Sequence, residues 1–235
     1  MLKDKPIFSN QYGALVMAFV PFIYGIISTR LISLHLFLAL SWLFLYFCSY
    51  PFLSVFSKKQ NHRYKKWAVI YFIISLIWAL PVIVYQAGIL QFLLPTALLV
   101  IVQIYYAKQK DERNLINDIA GILTFGIVGM VSAYLVTTQY HFEVLLHPTL
   151  FFIATTLYVK SVARERKNPR YLNASIALHF ILMLIYTALG AYGLSVTYLI
   201  GLIRAWIIPQ KRLTIKQIGL LEFPMTVIFL VGLCL

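Results

Sequence analysis

Apolar residues run along the chain in long continuous blocks separated by short polar stretches. A membrane-crossing helix needs roughly 20 mainly apolar residues, and blocks of about that length recur nine times. They predict spans at 11–28, 31–56, 67–85, 88–106, 119–138, 144–162, 171–191, 195–208 and 214–235. The third and fourth blocks, or the seventh and eighth, could each form one re-entrant pair instead. The blocks do not alternate apolar with polar residues, which excludes a transmembrane β-barrel. No stretch of soluble-domain size remains. The pattern predicts an all-α polytopic bundle forming a single membrane domain over 1–235, so any site must lie within the bundle or in its loops.

Composition agrees and adds orientation. The 235 residues are 61% apolar and 11% charged, with a mean hydropathy of +0.84, far from the composition of soluble domains. Lys and Arg number 20 against 7 Asp and Glu, a net charge of +13, which in a soluble chain would point to nucleic acid. Here all but Arg30 and Arg204 fall before the first block or around the polar stretches after the second, fourth, sixth and eighth, with Lys160 and Lys216 at the margins of their blocks. The excess is therefore a topology signal, and no nucleic-acid partner is expected. By the positive-inside rule the amino terminus and these loops face the cytoplasm and the carboxyl terminus lies outside. The first block lacks a small-residue cleavage site and reads as a retained anchor. Cys48 and Cys234 fall towards opposite faces, so neither a disulfide nor a thiol relay is expected.

Three cation-bearing loops begin alike, at Leu45, Ile104 and Leu157, each with a tyrosine at a helix end: Tyr46, Tyr105 and Tyr158. Two readings stand side by side: stacked helical hairpins facing one cytoplasmic vestibule, or the ordinary placement of tyrosines and cations at a membrane interface.

Acidic residues are few and hence informative. In DERNLINDIAG a helix would put Asp111 and Asp118 on one face, about two turns apart. Two such carboxylates could hold Mg²⁺ against a diphosphate; helix capping by Asn117 or Asp118 with local pairing to Arg113 is the reading favoured, and no metal site is assigned. In KSVARERKNPRY a helical face would align Lys160, Arg164 and Lys167, with Glu165 between Arg164 and Arg166. Guanidinium forks there suit phosphate or carboxylate, although a solvated positive-inside loop would also be basic.

Arg204 and Glu222 lie inside blocks, each a few residues from the same interface on consecutive antiparallel helices, about 8 Å deep at 1.5 Å per residue. They are expected to meet, either as a functional site or as a helix lock. Pro224 frees a backbone carbonyl nearby. His141, Glu143 and His147 match no zinc spacing and read as a helix start before Pro148, while His179 is expected to bond within the bundle. Gly121, Gly126, Gly129 and Gly201 read as close helix packing. Phosphate-binding glycine loops, a nucleophile elbow and CxxC are missing, so the sequence offers no support for ATP-driven transport, serine hydrolysis or thiol chemistry.

QYGALVMAFVPFIYG, SYPF at Ser49 to Phe52, DERNLINDIAGI and YVKSVARERK together resemble the YwiC-like family of bacterial integral membrane proteins, over almost the whole chain. The family's first motif is usually Gln-His-Gly-Ala-Trp; Gln11, Gly13 and Ala14 match it, whereas Tyr12 and Leu15 depart, so no histidine role carries over. The resemblance implies a location in the bacterial cytoplasmic membrane. Span number and topology are in turn similar to the UbiA superfamily of membrane prenyltransferases, which implies a cavity open to the cytoplasm. Enzymes of that superfamily bind an isoprenoid diphosphate through Mg²⁺ on Asp-rich motifs after the second and sixth spans. SYPFLSVFSKK and VKSVARERK occupy those places and hold no Asp. The likeness thus implies a lipid-binding or degenerate relative, with an isoprenoid, a quinone or an anionic lipid as ligand. Tyr46, Tyr50, Asp111, Asp118, Lys160, Arg164, Glu165, Arg166, Arg204 and Glu222 are its candidate binding residues, with no cofactor assigned. The alternative is a small permease or scaffold in which the same residues hold helices together.

Overall fold

A computed structural model describes residues 5–9, 12–57, 62–211 and 213–235. Gln11, Lys3, Asp4, Lys58, Lys59 and Arg212, which enter the span and topology expectations above, lie outside them. Among the described residues the chain forms nine α-helices and no strand: α1 Tyr12–Ile27, α2 Leu34–Phe56, α3 His62–Tyr85, α4 Leu93–Lys108, α5 Leu115–Thr137, α6 Phe142–Val159, α7 Pro169–Ala188, α8 Tyr192–Ile207 and α9 Ile215–Cys234. Each apolar block has become one helix. Short 3-10 turns extend α4 and α8, a π-turn over Lys160–Arg164 extends α6, and with these extensions eight helices are long and apolar enough to cross a membrane. The blocks that could have formed re-entrant pairs are thus full-length helices. Only α1, at 16 residues, falls short. The chain is a multi-pass membrane protein whose exposed side chains include Leu36, Val84, Leu94 and Trp206, as expected where the solvent is lipid.

The ends of the helices follow local chemistry. Asn114 caps α5 by accepting the Ile116 N–H at 3.0 Å, and Thr138 ends that helix in the left-handed conformation. Asn168 caps α7, with Pro169 in the first turn where a missing N–H costs nothing. Thr214 and Gln217 form a reciprocal capping box at α9. Pro21, Pro51, Pro81, Pro148 and Pro224 sit within helices, a use of proline that membrane helices tolerate.

The chain divides into two compact units, Met1–Thr149 and Leu150–Leu235. Lipid is as apolar as a leucine side chain, so helices within each unit need close approach and hydrogen bonds to associate. In unit 1, α1 packs on α5 where Gly129 meets Pro21: a Cβ at Gly129 would lie 2.6 Å from the Pro21 carbonyl oxygen. Ser132 Oγ donates to the Phe22 carbonyl at 2.9 Å across this seam. The fully buried His35 ties in α2, since its Nε2 donates to the Ser132 carbonyl and its Nδ1 accepts the Ile32 N–H, both at 3.0 Å. α2 and α3 are joined by Ser75 Oγ donating to the Ser41 carbonyl at 2.8 Å and by the Cys48 thiol on the Ala68 carbonyl. Both cysteines are free.

Unit 2 uses the same devices. The ring of His179 on α7 fills the space that a side chain at Gly201 on α8 would take, and Tyr186 stacks on Tyr198 with ring centroids 5.4 Å apart. α8 meets α9 at Gly193 and Gly232, whose backbones approach too closely for a Cβ at either. Phe151 stacks on Phe229 at 4.1 Å.

Candidate functional site

The polar site with most chemistry lies in unit 2. Arg204 is in the last turn of α8, and Glu222 is in the second turn of α9. A connection of only a few residues folds the two helices back on each other, so both side chains reach the same depth. Arg204 Nη1 donates to Glu222 Oε2 at 2.6 Å. The arginine side chain is 7% exposed and the glutamate 19%. The guanidinium carbon lies 4.0 Å from the centroid of the Tyr158 ring, a cation–π contact strengthened by the scarcity of water. Tyr158 is wholly buried, packed with Val162, Ala205 and Ile218.

What distinguishes this cluster from a plain helix lock is its unused hydrogen-bonding capacity. Arg204 Nε and Nη2, Glu222 Oε1 and the Tyr158 hydroxyl are all buried without a partner. Leaving such atoms unpaired is costly in a dry environment, and most buried polar groups avoid it. Nε and Nη2 form one edge of the guanidinium, the geometry that grips an acceptor group with two parallel N–H bonds. Around them, His179 Nδ1 donates to the Ser175 carbonyl at 2.7 Å, as expected of a histidine bonded within the bundle.

The second cationic segment is built differently from the sequence expectation. The helix carrying Lys160 ends in its π-turn at Arg164, where the Glu165 N–H reaches the Lys160 carbonyl at 2.7 Å. Lys167 therefore sits in the following turn, and the predicted helical face of Lys160, Arg164 and Lys167 does not form. Lys160 is buried with its ammonium 6.0 Å from the Tyr171 ring centroid, whereas Arg164 is exposed. Arg166 spends its donors on backbone: Nε on the Val162 carbonyl and Nη2 on the Leu213 carbonyl at 2.5 Å. Glu165 is half-buried beside them.

In unit 1 the acidic segment is a helix start. Asp111 lies in the turn before α5, not on its face; its Oδ2 accepts the Asn114 Nδ2–H at 2.8 Å. The cap is Asn114 rather than Asn117 or Asp118. Asn117 donates to the Glu112 carbonyl, and Asp118 occupies the first helical turn. No group of three or more His, Cys, Asp or Glu able to hold a metal occurs among the described residues. Tyr46 is buried against Trp42 and Ala18, and Tyr50 is half-buried near Tyr64. The three matched tyrosines have unlike surroundings, since Tyr105 is 56% exposed while Tyr46 and Tyr158 are buried.

The histidine segment also begins earlier than expected. α6 starts at Phe142, so His147 and Pro148 lie within it, and His141 bonds Glu143 Oε1 at 2.7 Å just before the helix. Gly126 and Gly129 are packing positions, but Gly121 faces open space. Tyr158, singled out in the sequence as one of three helix-end tyrosines, was not among the candidate binding residues. Its signal was its depth, since it ends an apolar run at the level expected for Arg204.

Residues 8–133 match the family described as YwiC-like protein. The chain is similar to an uncharacterized protein of Haemophilus influenzae, 46% identical over 230 residues that cover 97% of each chain. It is also similar to the uncharacterized protein YwiC of Bacillus subtilis, 33% identical over 98% of each chain. No solved structure matches.

Proposed function

The chain belongs to the YwiC-like family, and from that premise we propose that it is a lipid-binding membrane protein whose ligand head is held by Arg204, Glu222 and Tyr158. The ligand classes are those of the expectation above: an isoprenoid, a quinone or an anionic lipid. The protein sits in the bacterial cytoplasmic membrane with its cation-rich loops in the cytoplasm. The observation that carries the reading is the set of unpartnered buried atoms at the ion pair. A pair serving only to lock α8 to α9 gains from having its remaining donors and acceptors satisfied by neighbours. Here a guanidinium edge and a carboxylate oxygen are left for something that arrives from outside the chain. Lipid is the solute most available at an intramembrane site, and a partly exposed Glu222 gives it access.

Mass spectrometry of lipids that co-purify in mild detergent tests this. A lipid enriched with the wild-type protein and with Lys216→Ala, an exposed change in α9, should be lost from the double variant Arg204→Met/Glu222→Met. The double change removes both charges together, leaving no unpaired ion to unfold the unit. Identical lipid profiles in all three proteins would remove the reading.

A further inference from the structure

The charge balance at Arg204 narrows what the site can hold. Glu222 lies 2.6 Å from the guanidinium and cancels its charge. Arg204 also lies against the Tyr158 ring and near His179. Among the described residues the other cations of the unit have these surroundings. Lys160 lies over Tyr171, Arg166 binds two backbone carbonyls, and Arg164, Lys167, Arg170, Lys211 and Lys216 are exposed. A phosphate or diphosphate placed on the free guanidinium edge would leave the buried cluster with a net negative charge beside the Glu222 carboxylate. An unbalanced ion in a low-dielectric interior is the least favourable occupant.

The unpaired atoms ask for a different head. Arg204 Nε and Nη2 are donors that need an acceptor, Glu222 Oε1 is an acceptor that needs a donor, and the Tyr158 hydroxyl takes either role. Resting on the reading that the site binds a lipid, we propose that the ligand head carries no net charge and bears an uncharged acceptor oxygen, of a carbonyl, an ether or a phenol, for the guanidinium edge together with a hydroxyl for Glu222. A diacylglycerol and a prenylated hydroquinone share that chemistry. Arg204 then acts as a neutralised donor fork, and Glu222 both sets the charge of the site and reads the hydroxyl.

Matched pairs of probes test the head. The protein, stripped of lipid, is titrated in detergent with dioleoylglycerol against dioleoyl phosphatidate, and with a geranylgeranyl hydroquinone against geranylgeranyl diphosphate. Bound lipid is read by native mass spectrometry. At least one neutral member should bind one per chain, at least tenfold more tightly than its charged counterpart, and Arg204→Met/Glu222→Met should abolish the difference. The neutral member that binds identifies the glycerolipid or the quinol source. If the lipid lost from the double variant, added or co-purified, bears a net charge, the inference about the head is overturned while lipid binding stands. If no probe binds and the variant loses no co-purified lipid, both fail together.

Discussion

Arg204 is held on two sides at once, with its guanidinium carbon 4.0 Å from the centroid of the Tyr158 ring and its Nη1 2.6 Å from Glu222 Oε2. The ring is on helix α6 and the carboxylate is on α9, so one side chain of α8 joins three elements. Neither contact exhausts it, because the remaining edge of the guanidinium is unpaired.

The two charges should therefore be less tolerant of separation than of joint removal. Breaking a buried pair leaves an uncompensated ion at a cost of about 3–5 kcal/mol, whereas replacing both partners with apolar residues of similar volume is near neutral. Glu222 is partly exposed, which places Arg204→Met at the lower end of that range. Thermal unfolding in detergent should rank wild type close to Arg204→Met/Glu222→Met, with each single variant clearly lower. A double variant destabilised by the sum of the two single losses would show that the charges are not coupled.

Gly201 is predicted to be intolerant of even one methyl group. A Cβ there would lie 2.8 Å from His179 Nε2 and closer still to its Cδ2, and the ring is pinned by the bond from Nδ1 to the Ser175 carbonyl. Gly201→Ala should cost about 1–3 kcal/mol, the range for overpacking. Gly219→Ala, on α9 with open space around it, should be neutral or stabilising by roughly 0.5–1 kcal/mol through helix propensity. Thermal midpoints in one detergent check the contrast, and equal losses at the two glycines would contradict it.

The spans and the Arg204–Glu222 meeting were legible in the sequence because both depend on depth. Long apolar blocks fix where helices lie, and counting 1.5 Å per residue from one interface puts the two charges at one level. The rest turned on local choices that composition does not encode. The sequence pointed to Asn117 or Asp118 as the cap, but Asn114 takes it by bonding both the Ile116 N–H and Asp111. The π-turn at Lys160–Arg164 changes the bonding of one helical turn without a proline or glycine to announce it. Tyr158 looked like any interfacial tyrosine until its partner was in place.

Arg166 should be irreplaceable by lysine for a geometric reason. Its two donors reach two carbonyls, those of Val162 in the π-turn and of Leu213 in the connection between α8 and α9. A lysine offers one nitrogen and cannot span both. Arg166→Lys should free the connection and speed tryptic cleavage after Lys211 several-fold, read by mass spectrometry of the fragments, with the global thermal midpoint nearly unchanged. Unaltered cleavage at Lys211 would mean that the Leu213 bond does not hold the connection.

Topology rests on α1. At 16 residues it is about 24 Å long, less than the roughly 30 Å of a bilayer's hydrocarbon core. The cations in the connections after α2, α4, α6 and α8 favour the cytoplasm for those loops whether or not α1 crosses. The carboxyl terminus is thus expected outside in either case, and only the amino terminus reports on α1. Lys3 and Lys5 precede that helix and favour an inside location, and a short span is accommodated by local thinning of the bilayer at a modest cost per ångström. Reporter fusions should therefore read cytoplasmic before Met1 and external after Leu235. Two external termini would make α1 an interfacial helix and leave eight crossings, and a cytoplasmic carboxyl terminus would overturn the assignment of every loop.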